Sequence, residues 1–234
     1  MKLKYKSGQV LKVGNIADLI LDDLVDWLKN DPIQSKEDIP FKKWEGMKSL
    51  YVHDKVSHLP VGLHEIHSIY SISGFKISID KYKDRYYKSK GLISYPAKIK
   101  FDMTLTDKAQ PILEYLKMDH AFLKTTYQSP EAMYPMHLDR ANSNLYNKGL
   151  LAFVSTPTNS IKNKLVRFYI FLEDWKQGQF LFANDSVLQW KKGDIYCWDD
   201  TVLHGSANVG VHPKIGLTIT GPIGAEFTPT PFIS

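Results

Sequence analysis

From Ala121 onward the chain is a succession of short apolar runs separated by turn formers, and this spacing constrains the fold more than any other feature. The candidate strands are Phe122 to Gln128, Leu150 to Thr156, Leu165 to Leu172, Gln179 to Phe182, Val187 to Trp190, Asp194 to Trp198 and Lys214 to Thr220. Short strands broken by turn residues describe a sandwich or a barrel. Between two of them, Lys191, Lys192, Gly193 and Asp194 form a turn, where glycine tolerates positive φ. Upstream, Asn15 is expected to cap a helix from Ile16 to Lys29, with Ile16, Leu19, Ile20, Leu24, Trp27 and Leu28 recurring at helical spacing. A second helix is expected over Ala109 to Met118, with Pro111 restricting where it begins. Residues 33 to 106 mix short apolar runs with Gly and Pro, and their boundaries are hard to read.

At 234 residues the chain suits one substantial domain, and its hydrophobic content of 43% is that of a globular protein. We divide it into an N-terminal helical and mixed extension, residues 1–99, packed on a β core of residues 100–234. The basic N-terminus leads into no apolar segment, and no stretch approaches the roughly 18 apolar residues of a membrane span. The expectation is a cytoplasmic protein with no membrane partner. One cysteine, Cys197, excludes a disulfide framework and a multi-thiolate metal site, and between Tyr196 and Trp198 it reads as a small buried hydrophobe. A net charge of +5 would suit a polyanion but does not identify a reaction. The basic stretch Lys81, Lys83, Arg85, Lys88 and Lys90, interleaved with Tyr82, Tyr86 and Tyr87, reads as a solvated surface before it reads as a nucleic-acid contact.

The segment Tyr134-Pro135-Met136-His137-Leu138-Asp139-Arg140 holds the one His-x-Asp of the chain. On an extended strand residues i and i+2 project from one face, so His137 and Asp139 can converge on a single ion. A third ligand must come from elsewhere, and downstream there are two histidines, His204 and His212. His204 follows a candidate strand and is followed by the small residues Gly205 and Ser206, which leave room beside a metal. Two imidazoles and one carboxylate on one face form the facial triad of iron(II) oxygenases, with adjacent coordination positions open.

With these residues in view, the sequence resembles the 2-oxoglutarate-dependent oxygenases, whose pattern is His-x-Asp, a distal His, and a Lys or Arg about ten residues on. Lys214 stands ten residues after His204, and no Lys or Arg follows it, which favours His204 over His212. The resemblance covers about residues 120 to 221. Tyr134, three before the first His, and a Lys in the cosubstrate position resemble the prolyl 4-hydroxylase type most. Many relatives carry Ser or Thr two residues after the basic group, where this chain has Gly216; Thr218, on the same strand face, is the substitute hydroxyl. The resemblance implies a double-stranded β-helix, or cupin-like jelly-roll, barrel. It implies Fe(II) held by His137, Asp139 and His204, 2-oxoglutarate as cosubstrate with O2, and hydroxylation of a C–H bond with release of succinate and carbon dioxide. A cation for the far carboxylate of 2-oxoglutarate is expected at Lys214, with Tyr134 as hydroxyl donor. Arg167 is its rival, because Arg167, Tyr169 and Phe171 share a strand face that can line the same interior.

The main substrate expected is a peptide or protein side chain, or an amino-acid-like small molecule; nucleic acid is the least favoured class, since no Arg-rich signature follows His204. A metal-binding barrel of the cupin kind, an isomerase or a binding module, is the competing reading and needs no cation at Lys214. His64-Glu65-Ile66-His67, and His53 with His58, raise a second metal site, but the metalloprotease spacing of four is absent.

Overall fold

In the computed structural model, the structure describes residues 8–19, 21–30, 63–71, 98–118, 120–130, 132–137, 165–199 and 201–222. Strand β1 (Leu11–Asn15) leads to helix α1 (Leu21–Lys29), then to β2 (Leu63–Ser71), β3 (Lys98–Phe101) and helix α2 (Thr104–Tyr115). Eight strands follow: β4 (His120–Gln128), β5 (Ala132–His137), β6 (Leu165–Phe171), β7 (Gln179–Ala183), β8 (Ser186–Val187), β9 (Asp194–Asp199), β10 (His204–Asn208) and β11 (Lys214–Pro222).

The larger sheet runs β1-β9-β6-β11-β4-β2-β3 and the smaller β5-β10-β7-β8. Every pairing but the parallel β2–β3 is antiparallel. From β4 to β11 the chain passes back and forth between the sheets, filling β9-β6-β11-β4 on one side and β5-β10-β7-β8 on the other. The fold is a double-stranded β-helix. The described parts of the N-terminal hundred residues extend the larger sheet at both edges, through β1 on β9 and through β2 and β3 beside β4.

Alternation along β11 shows how the two faces of the larger sheet are used. Ile215, Leu217 and Ile219 join Leu123, Phe168, Ile170 and Ile195 in a core that α1 and α2 cover with Leu24, Leu28, Leu105, Ile112 and Leu113. Each such side chain, fully buried, contributes about 1.5–3 kcal/mol. The other face turns Lys214, Gly216, Thr218 and Thr220 toward the smaller sheet. There a second, aromatic cluster joins Tyr169, Phe171, Trp190 and Trp198 with Leu181, Ala183 and Val202. One end of this interior is closed by buried amides. Gln128 donates to the Ala132 carbonyl at 2.8 Å, Asn208 to those of Gln128 and His212 at 2.9 and 2.8 Å, and Gln179 to that of Pro213 at 2.9 Å.

Three sequence expectations are corrected. Asn15 ends β1 instead of capping a helix: its amide donates to the Lys192 carbonyl and to Asp194, and its oxygen accepts from Ala17. Helix α1 therefore starts at Leu21, although Ile16 is buried as its apolar character requires. The second helix starts at Thr104, where Asp102 accepts from the Thr104 N–H at 3.0 Å, so Pro111 lies inside it and withholds one helical donor. The strand from Val187 stops at that residue; the Leu188 N–H still donates to the Leu181 carbonyl at 2.8 Å, but Leu188 to Trp190 are not strand. The expected turn is present, with Gly193 at φ 83° and the Ala17 backbone so near that a Cβ there would fall 2.3 Å from its nitrogen. The expected strand Leu150 to Thr156, the basic stretch Lys81 to Lys90, and His53 and His58 lie outside the described residues. Among the described residues no helix is long and apolar enough to cross a membrane.

Candidate metal centre and anion site

In the smaller sheet β10 runs between β5 and β7, and this register sets His204 directly opposite His137 on one side and Ala183 on the other. The two histidines are thus cross-strand neighbours at the end of the sheet. The His137 side chain and the whole of Asp139 lie outside the described residues, and among those residues no set of three His, Cys, Asp or Glu side chains gathers as a metal site.

His204 itself is fully defined. Its ring is buried at 5.3 Å from that of Trp198. Nδ1 stands 3.0 Å from the Val202 carbonyl, which can accept but not donate, so Nδ1 carries the proton. Nε2 is left with its lone pair, and the Arg167 guanidinium donates to it at 3.2 Å. A histidine whose other nitrogen is fixed on a backbone carbonyl is the usual form of a metal ligand. Nε2 of His204 is thus a donor suited to a divalent metal, which would take the place of the guanidinium there. Beside it the Trp198 indole N–H is buried, with no hydrogen-bond partner among the described residues.

Lys214 lies toward the closed end of the same interior. It is 3% exposed, and its ammonium donates to the Phe180 carbonyl at 2.9 Å. Its other neighbours are the rings of Tyr169 and Trp190, 5.9 and 5.6 Å to the centroids. Among the described residues no carboxylate pairs with it. Burial pushes its pKa down to about 7, which measures how poorly the site solvates the charge. An ammonium normally has an anion when it is this deeply buried.

Arg167 is not beside Lys214. It touches His204 and, through Nε, the Thr220 hydroxyl at 3.4 Å, so the two rival cations occupy opposite ends of the interior. Thr218 is buried on the inner face between those ends, in register with Tyr169 and Lys124. Tyr134, also buried, is paired with Ser206 and has the Lys124 ammonium 5.5 Å above its ring.

Two features were not anticipated. The Tyr169 hydroxyl lies over Gly216, so close that a Cβ there would be 2.3 Å from its oxygen. The missing side chain at Gly216 is what admits a phenol beside Lys214, and burial pushes that phenol's pKa up, against a small opposing effect of Arg167, so it remains a donor. The second feature is an ionic cluster on the inner face of β2 and β4. Glu65 Oε2 lies 2.7 Å from His67 Nε2 and Oε1 lies 3.1 Å from the Lys124 ammonium, with Glu65 and His67 wholly buried. Burial raises the Glu65 pKa, but the Lys124 charge and the His67 bond outweigh it and hold the carboxyl at about 2. His67 thus has a carboxylate partner on a strand, which removes the helical zinc-site geometry from consideration. Cys197, whose thiol burial pushes up to about 12, is an unreactive core residue.

No protein-family model matches the chain, and no curated protein sequence does. Among solved structures it is similar to a prolyl-4-hydroxylase from Pseudomonas putida, over 94% of this chain and 95% of that one, at 12% identity and a TM-score of 0.41. It is similar to an oxidoreductase of the 2OG-Fe(II) oxygenase family from Burkholderia pseudomallei, over 42% and 40% of the chains, at 13% identity and 0.30. A double-stranded β-helix protein from Klebsiella pneumoniae shares 14% identity over 44% of this chain and 67% of its own, at 0.29.

Proposed function

We propose that the protein is an Fe(II)- and 2-oxoglutarate-dependent oxygenase, with His137, Asp139 and His204 as metal ligands and Lys214 as the anchor of the cosubstrate's far carboxylate. The observation that carries this reading is Lys214. A buried ammonium with one carbonyl partner among the described residues, in the same interior as a histidine whose Nε2 lone pair is turned inward, calls for a ligand that is anionic at one end and metal-binding at the other. A 2-oxo dicarboxylate has that form. A cupin-type barrel that binds metal alone gives Lys214 no counterion.

The chain's own residues divide the work. Val202 holds His204 in the tautomer that leaves Nε2 to the metal. Lys214, with the Tyr169 hydroxyl beside it, binds and orients the carboxylate, and the buried amides of Gln128, Gln179 and Asn208 keep water out at that end. Met136 and Leu203, each 42% exposed and each just before one of the two histidines, flank the opposite end, where a substrate would enter. Bound iron and cosubstrate would supply the oxidising chemistry, in which 2-oxoglutarate and O2 give succinate and carbon dioxide as a C–H bond is hydroxylated. The main substrate, following the prolyl 4-hydroxylase resemblance of Tyr134 and Lys214, is a peptide side chain or an amino-acid-like molecule.

Succinate formation from 2-oxoglutarate, measured with iron(II) and oxygen in the presence of a substrate library, tests the reading. Turnover that disappears in His204→Ala supports it. Iron binding with no affinity for 2-oxoglutarate would replace it with the cupin reading.

A further inference from the structure

We infer that Lys124 is a second carboxylate-binding position in the barrel, holding the end of the 2-oxo dicarboxylate that lies toward His204 while Lys214 holds the other. The inference rests on the cosubstrate reading above and assigns a residue that the spacing of the metal motif does not reach. Its starting point is the register of β11. Lys214, Thr218 and Thr220 share the inner face, and at about 3.4 Å per residue Thr218 stands roughly 14 Å from Lys214 and 7 Å from Thr220. Thr220 accepts from Arg167, which in turn donates to His204 Nε2, so Thr220 marks the metal end. Lys124 is the cross-strand partner of Thr218. A ligand stretched between Lys214 and His204 must therefore pass the level of Lys124, nearer its metal end.

The Lys124 side chain is built to stay there. Its ammonium is 3.1 Å from Glu65 and 5.5 Å from the Tyr134 ring centre, so it bridges from the larger sheet to the smaller across the interior. Glu65 is itself held at 2.7 Å by His67, whose ring packs edge-on against Phe122 at 5.3 Å. Burying a carboxylate and an imidazole completely is no route to stability, since apolar residues of the same volume serve a core as well or better. What the cluster does accomplish is to fix one cation in one place. An ammonium has three donors and Glu65 takes one of them. The Lys124 side chain is 12% exposed, so unlike Glu65 it is not wholly enclosed by protein.

Two probes and two lysines separate this inference from the reading beneath it. The full chain, loaded with manganese(II) or free of metal and without oxygen, is titrated calorimetrically with 2-oxoglutarate and with 2-oxopentanoate, which has the same carbon chain but no far carboxylate. Lys124→Met is expected to weaken both ligands by about tenfold, the effect of losing one charge-assisted hydrogen bond. Lys214→Met is expected to weaken 2-oxoglutarate alone. Lys124→Met/Glu65→Gln, which leaves no unpaired buried carboxylate, should show the same tenfold loss with a melting temperature close to that of the parent. Lys124→Arg should recover part of the affinity. Unchanged binding of both ligands in Lys124→Met and in the double variant, with 2-oxoglutarate lost in Lys214→Met, overturns the second position and leaves the cosubstrate reading standing. Loss confined to 2-oxoglutarate in Lys124→Met would show that Lys124 reads the far carboxylate, and also overturns it. Indifference of both ligands to both lysines would bring down the cosubstrate reading itself.

Discussion

Replacing Lys214 by Met should make the protein more stable and worse at binding 2-oxoglutarate, a pair of opposite effects that few other roles for this residue would produce. Burial holds its pKa at about 7 against an ordinary 10.5. A difference of that size corresponds to roughly 4–5 kcal/mol of cost for the charged form. Losing the bond to the Phe180 carbonyl returns about 1–2 kcal/mol of that. Methionine is of similar length and leaves no large void, so at pH 6 the variant should gain about 2–4 kcal/mol. For a chain of this size, at roughly 2–4 °C per kcal/mol, that raises the melting temperature by roughly 4–16 °C. The sign depends on pH: below 7 the wild type carries the charge in both folded and unfolded states and bears the full cost. Between 7 and 10.5 the unfolded chain binds more protons than the folded one, wild-type stability rises with pH, and the advantage of the variant shrinks. The cosubstrate carboxylate, in contrast, loses its cation, and affinity should fall at least about a hundredfold, or about 3 kcal/mol. Differential scanning calorimetry at pH 6 and 9.5, together with anaerobic titration of 2-oxoglutarate at pH 6, reads both quantities. A lower melting temperature with unchanged affinity would refute the argument and make Lys214 a structural residue.

The other expectations are simpler. His204→Ala should abolish iron(II) binding with little change in the far-ultraviolet circular dichroism, and full metal content in the variant would remove His204 from the ligand set. Affinity for 2-oxoglutarate should fall as pH rises above about 7, because binding then requires proton uptake by Lys214, and calorimetry in buffers of different ionisation enthalpy would expose an affinity that does not change with pH. Gly216→Ser puts a Cβ 2.3 Å from the Tyr169 oxygen in a packed interior, so a loss of about 1–3 kcal/mol is expected, and an unaltered melting temperature would mean that Tyr169 lies elsewhere. Arg167→Ala should spare cosubstrate affinity and impair turnover of the main substrate, since Arg167 is at the His204 end; a large loss of 2-oxoglutarate binding with no such loss for Lys214→Ala would reverse the two assignments.

Strands with large apolar side chains on one face could be read directly. Phe122 to Gln128, Leu165 to Leu172 and Lys214 to Thr220 differ from the observed strands by a residue or two at their ends. Strand β10 escaped because His204 to Asn208 contains no large apolar residue, and its burial comes from tertiary packing between β5 and β7. Strand β2 escaped for a related reason. Glu65 and His67 occupy the alternate positions of Leu63 to Ser71 where a half-buried strand normally presents apolar groups or faces water. Asn15 misled because one residue type both caps helices and ends strands, and the choice was made by Lys192 and Asp194, far away in the chain.

The candidate site divides along the same line. His137 and Asp139 could be picked out because residues two apart on a strand share a face, His204 and Lys214 through the oxygenase resemblance, and the β5–β10 register makes the two histidines neighbours. Tyr169 and Lys124 have no such spacing. Tyr169 matters because Gly216, on another strand, leaves room for its hydroxyl, and Lys124 because Glu65 and His67 come to it from the first half of the chain. The alternation of β11 did contain a usable signal. In a sheet with one face in water, Lys214, Gly216, Thr218 and Thr220 would simply be its solvent side. Here α1 and α2 cover the apolar face, while the smaller sheet covers the polar one, so a pattern that ordinarily marks exposure marks the interior of the barrel. A strand whose polar side is buried as completely as its apolar side must satisfy those polar groups internally or with a ligand, and Lys214, which among the described residues has one carbonyl and no carboxylate for its charge, is the reason the proposed reading puts an anion there.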